Sequence, residues 1–90
     1  MTTLTLSEQA SSLVKDAITS QRRLLDTNRH EYRQRLEAFE RRHGMTTNQF
    51  VRRFHAGKLN DDSVWFDWLF AHRAYTELSK RLVILRGVRL

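Results

Sequence analysis

Apolar residues in the last third of the chain recur at alternating steps of four and three positions. They are Val64, Trp68, Ala71, Tyr75, Leu78, Leu82 and Leu85. This spacing predicts a helix over about residues 61–86 with one continuous apolar face, as in a coiled coil. Because that face must be buried, the rest of the chain is expected to pack against it. Three more apolar residues widen the surface near the helix start: Phe66, Leu69 and Phe70.

A longer helix is predicted upstream, over about residues 6–43. Thr5 and Glu8 have the spacing of a capping box at its start, and Ser7 is an alternative first cap. Gly44 follows the last helical residue, which is the usual place for glycine after a helix. Apolar residues at seven-residue intervals form the seam of this helix: Ile18, Leu25, Tyr32 and Phe39.

A short helix over about residues 47–56 is expected to connect the two long ones. Thr46 and Gln49 have the spacing of a second capping box, and Met45 is placed to pack on Phe50. Gly57 is expected to end this helix. Three residues then offer possible N-caps for the last helix: Asn60, Asp61 and Asp62.

These elements predict an all-α fold, a long antiparallel and coiled-coil-like helical hairpin with a short connecting helix. At 1.5 Å per residue the first helix spans roughly 55 Å and the last roughly 39 Å, which leaves about 15 Å of the first uncovered. The uncovered half carries four apolar residues: Leu13, Val14, Ala17 and Ile18. Because exposed apolar surface of this kind marks an interaction site, we expect a homodimer or a complex with another protein.

Composition limits the classes of function. The chain has 90 residues, enough for one domain, and lacks proline, in keeping with uninterrupted helices. It also lacks cysteine, which excludes disulfides and thiolate metal sites. No apolar run approaches a membrane span and the polar N-terminus is unlike a signal peptide, so a cytoplasmic location is expected. The formal net charge of +6 favours an anionic partner, either nucleic acid or an acidic protein surface.

Few residues are spaced as catalytic or metal-binding groups. The four histidines are too scattered to suggest metal ligands, so no metal or other cofactor is expected. Arg23 and His30 enclose six residues, the spacing of the ribonuclease signature in HEPN-type toxins, where such a pair stabilises phosphate and transfers protons. Asp61 and Asp62 are explained by helix capping. We therefore assign no catalytic residue, and a HEPN-like ribonuclease is kept as a minor alternative.

The second half of the chain carries a pattern of glycine turns and aromatic residues. Its members are Gly44-Met45-Thr46, Phe50, Arg53-Phe54, Gly57, Leu59, Asp61-Asp62, Phe66 and Trp68. This pattern resembles a group of small helical prokaryotic proteins that are themselves similar to antitoxin components of toxin–antitoxin modules. The resemblance implies a non-enzymatic subunit that binds and neutralises a partner toxin. Lys58 stands where the pattern commonly has glutamate.

The leading hypothesis is therefore a protein-binding, antitoxin-like module. Trp65 is included in the binding surface because neighbouring aromatic residues on one helix cannot all face the core. The expected partner-binding residues are Leu13, Val14, Ala17, Ile18, Arg22, Arg23, Leu25, Arg29 and Trp65. The alternative is a basic coiled-coil protein that binds nucleic acid through its phosphates.

Overall fold

The computed structural model describes residues 7–88 and contains three helices. They are α1 (Glu8–His43), α2 (Thr47–His55) and α3 (Val64–Arg86). The predicted all-α class is confirmed, since no strand occurs within the described range. α1 packs along α3 and the molecule is elongated, with extents of 59 × 27 × 18 Å. Within that same range no helix is long and apolar enough to cross a bilayer.

Local hydrogen bonds explain where α1 begins and ends. The hydroxyl of Ser7 accepts a hydrogen bond from the backbone N–H of Ala10, which satisfies one of the free donors at the helix start. The alternative cap at Thr5 lies outside the described residues. Gly44 adopts a left-handed conformation with φ of 65°, and its N–H donates to the carbonyl of Glu40. Glycine tolerates this conformation because it has no Cβ.

The connecting helix α2 has the capping box that its sequence predicts. The hydroxyl of Thr46 accepts from the N–H of Gln49, and the side chain of Gln49 accepts from the N–H of Thr46. Met45 is partly buried and packs against the core cluster that includes Phe50. The helix closes at Ala56, and Gly57 follows in the left-handed region.

The start of α3 differs from the sequence prediction by three residues. Asn60 Oδ1 accepts hydrogen bonds from the N–H of Asp62 and from the indole N–H of Trp65. Asp62 Oδ1 in turn accepts from the N–H of Val64. These short-range bonds stabilise a turn, because asparagine and aspartate side chains compete with helical hydrogen bonds for nearby N–H groups. The helix therefore begins after the aspartates, and Ser63 occupies its cap position without a side-chain bond.

The core is aromatic and lies where α2 folds onto α1 and α3. Phe50 stacks on Trp68 with ring centroids 4.1 Å apart, and Phe39 stacks on the same indole at 5.5 Å. The Trp68 N–H donates to the hydroxyl of buried Thr47 at 3.1 Å, which connects α3 to the first residue of α2. His43 completes the cluster, with its ring 5.4 Å from that of Trp68.

The apolar series of α3 faces α1, as its spacing predicts. Trp68, Ala71 and Leu82 are buried, and the other members of the series are partly buried. On α1 the corresponding buried residues are Leu25 and Leu36. Helical period and packing therefore agree over the whole length of α3.

Candidate protein-interaction surface

The two long helices have unequal lengths, and this inequality leaves part of α1 uncovered by α3. α1 has 36 residues and α3 has 23, which correspond to about 54 Å and about 35 Å. Val88, just after α3, lines the same shallow depression as Ile18 of α1. The chain just after α3 is therefore level with Ile18, and α3 itself does not reach residues 8–17 of α1, which we call the overhang. Its length is close to the sequence estimate.

Apolar side chains continue along the overhang in two stripes. Val14 and Ile18 are half-buried, and they lie on the helix face that carries Leu25, which α3 covers to 4% exposure. Leu13, Ala17 and Leu24 form the second stripe at helical spacing. Leu13 is 70% exposed and Leu24 is 54% exposed. The seam that holds the hairpin together thus extends past the point where α3 stops.

The two arginines nearest the overhang are free to meet a partner. Arg22 and Arg23 are both exposed on α1, but Arg22 borders the stripe of Val14 and Ile18, whereas Arg23 lies one turn from Thr19 on the opposite side. Arg29, one turn or more further along, is engaged within the hairpin. Its guanidinium donates to Ser79 Oγ and to Tyr75 Oη, each at 2.8 Å, and lies 4.8 Å from the Tyr75 ring centroid. Arg29 is therefore part of the α1–α3 contact.

Three of the nine expected binding residues are covered inside the protomer. Leu25 is buried under α3 and Arg29 is hydrogen-bonded to it. Trp65 is half-buried against His43 and donates its N–H to Asn60 at 2.8 Å. The outward-facing aromatic of this helix start is Phe66, which is 63% exposed. The remaining six lie on the N-terminal part of α1, five of them on or beside the apolar stripes and Arg23 on the opposite side.

The other residue pairs noted in the sequence do not form a reaction centre in the structure. Arg23 and His30 are both exposed on α1, about 10 Å apart along the helix axis. Asp62 accepts a hydrogen bond from the N–H of Val64 in the turn before α3. Within residues 7–88 there is no group of three potential metal-ligating side chains.

A small polar cleft lies between α1, α3 and the start of α2. Its volume is about 220 Å³, below the range of about 300–1,000 Å³ that is usual for ligand sites. Glu40 already accepts a hydrogen bond there from the N–H of Thr47 at 2.8 Å. Arg33 lies on the rim, and its hydrogen bond to Glu37 is the main cause that raises the pKa of the guanidinium. The cleft is therefore a weaker candidate than the overhang.

A further exposed surface on α3 was missed by the sequence reasoning. Six exposed residues run along its outer side at steps of four and three, and we call them the outer strip. They are Phe66, Phe70, Arg73, Glu77, Lys80 and Ile84. Three of them are apolar and are 62–68% exposed. The signal that would reveal the strip is a second heptad series beside the buried one.

No protein-family model matches this chain, and no curated protein and no solved structure shows significant similarity to it.

Proposed function

We propose that this chain is a non-enzymatic protein-binding module that presents the overhang of α1 to a partner protein, in the manner of an antitoxin subunit. The observation that carries the proposal is the continuation of the hairpin seam beyond α3. Val14 and Ile18 share a face with buried Leu25, and Leu13 beside them is 70% exposed. A partner helix or groove would cover this face as α3 covers the rest.

Charge at the overhang indicates the kind of partner surface. Arg22 is exposed beside the stripe of Val14 and Ile18, and the whole chain carries a net charge of +6. Apolar anchors flanked by an arginine suit a groove with an acidic rim, since complementary charge speeds association and selects the partner. The antitoxin-like form of the proposal places a toxin in this role.

The test is a double substitution of Leu13 and Ile18 by aspartate. The tagged wild-type chain is expected to retain one stoichiometric protein from its native lysate after nuclease treatment. With that partner purified, the double variant should lose binding, because each substitution puts a charge into the apolar contact. In the antitoxin-like form, growth arrest caused by the partner alone is relieved by the wild type and not by the variant.

A matched control uses Ser12 and Thr19, which are exposed on the opposite side of the same segment. Their double replacement by aspartate adds the same charge and should leave binding unchanged. Both double variants must keep the wild-type helical signal in circular dichroism. Partner binding that survives the Leu13 and Ile18 changes, or that is lost equally in the control, would refute the overhang as the site.

Four arginines favour nucleic acid as a second candidate partner. Arg41 and Arg42 lie in the last turn of α1, Arg52 and Arg53 lie in the last turn of α2, and all are exposed. Part of this placement is explained by the favourable position of cations at helix C-termini. Nucleic-acid binding would weaken steeply with salt and would fall when these arginines are replaced by glutamine. Salt-independent capture of protein alone would exclude it.

A further inference from the structure

The outer strip of α3 has the residue order of a coiled-coil seam and lies on the side of the helix away from its buried series. At one end the strip also borders the rest of the protomer, because Phe66 meets Phe54 of α2 edge-on at 5.8 Å and Phe70 meets Tyr32 of α1 at 6.2 Å between ring centroids. Phe66 and Phe70 lie at one end, and Ile84 lies at the other. Val83 adds a second exposed apolar side chain next to Ile84. The three charged members lie between these ends. From Phe66 to Ile84 the strip is about 27 Å long.

The strip is complementary to itself when two copies run antiparallel. A two-fold axis near the middle of α3 sets Phe66 opposite Ile84 of a second copy. The same axis sets Arg73 opposite Glu77, and it does so twice because the arrangement is symmetric. Phe70 then faces Lys80, whose aliphatic stem and ammonium both suit an aromatic ring. In this single register, apolar side chains lie opposite apolar side chains and opposite charges face each other.

A parallel arrangement lacks this match. It would set Arg73 against Arg73 and Glu77 against Glu77, and like charges directly opposite each other are destabilising. Glu77 already forms an exposed ion pair with Arg81 at 3.3 Å on its own helix. That pair leaves the carboxylate on the outer side of α3, where it is accessible to a second arginine.

We propose that the outer strip binds a second copy of this chain and forms an antiparallel α3–α3 dimer. α1 packs mainly on the other side of each α3, so the dimer contact does not involve either overhang. The inference is therefore independent of the proposed partner at the overhang. A contact one helix wide is smaller than a standard interface of about 800 Å² per partner, so the dimer is expected to dissociate on dilution.

The test reverses one charge at a time. Arg73→Glu and Glu77→Arg each turn two attractive pairs into two repulsive pairs, and each should weaken dimerisation by about thirtyfold. An equimolar mixture of the two variants should form heterodimers, because every contact is then between opposite charges. The double variant should regain most of the lost affinity. Mass is measured by sedimentation equilibrium over a range of micromolar concentrations.

The matched control is Arg23→Glu, the same reversal at an exposed position of α1, and it should leave the dimer unchanged. A chain that stays monomeric at every concentration overturns the proposal. The proposal is also overturned if neither single charge reversal weakens the dimer. It is overturned as well if the dimer is lost when Leu13 and Ile18 become aspartate. If the single variants lose dimerisation and neither the equimolar mixture nor the double variant restores it, the antiparallel register is wrong.

Discussion

The hydrogen bond between Trp68 and Thr47 offers the sharpest test of how α2 is held to α3. Replacing Thr47 with valine keeps the shape of the side chain but removes the hydroxyl that accepts the indole N–H. Both side chains are buried, so water cannot replace the lost acceptor. A buried donor without a partner costs about 1–3 kcal/mol. That is a large part of the roughly 5–13 kcal/mol expected for a domain of this length.

The free energy of unfolding is measured by urea titration, with circular dichroism and tryptophan fluorescence as probes and at one fixed protein concentration. A loss of about 2 kcal/mol should lower Tm by about 8–16 °C. Thr76→Val is the control, because the Thr76 hydroxyl donates only to the carbonyl of His72 on its own helix. This control should change the free energy by less than about 0.5 kcal/mol.

A double-mutant cycle separates the hydrogen bond from the shape of the ring. Trp68→Phe removes the donor, and in the combined variant neither orphaned group remains. The coupling energy between the two sites should therefore be about 1 kcal/mol or more. Strictly additive changes, or a Thr47→Val variant as stable as Thr76→Val, would show that the bond contributes nothing to the α2–α3 contact.

Two further changes test the backbone and the orientation of α1. Gly44→Ala should lower the free energy of unfolding by about 1–2 kcal/mol, because Gly44 has a φ of 65°. Its control, Gly87→Ala, should change that free energy little, because Gly87 has a φ of −81°. Equal effects in urea titration would contradict the left-handed cap. Leu25→Ala should lower the free energy of unfolding by about 2–5 kcal/mol. Leu24→Ala beside it should lower it by less than about 0.5 kcal/mol. If Leu24→Ala lowers the thermal stability more than Leu25→Ala does, α1 faces the other way.

Two helix ends, at Gly44 and at Thr46, were predicted from sequence because the determining contacts are local and of one kind. The start of α3 was placed three residues too early, because Asn60 and Asp62 can serve either as caps or in the turn that they form here. The box between Thr46 and Gln49 and the glycine after His43 act within one turn of the chain, so residue type and spacing are sufficient. The buried series of α3 was readable for the same reason, because a 3.6-residue period places its members on one face whatever that face meets. The overhang followed from the two helix lengths alone.

Contacts with neighbouring elements decided whether each side chain is exposed or is held inside the hairpin. Trp65 was expected to face a partner, but Asn60 and His43 engage it and leave Phe66 exposed instead. Arg29 was expected on the same surface, but Tyr75 and Ser79, far along the chain, hold its guanidinium. Composition and spacing determined that this protein is a helical hairpin with apolar surface that the packing of α1 on α3 does not bury. Only the tertiary structure decided which individual side chains on each helix are exposed, because exposure depends on how the helices rotate against one another and where α2 crosses them.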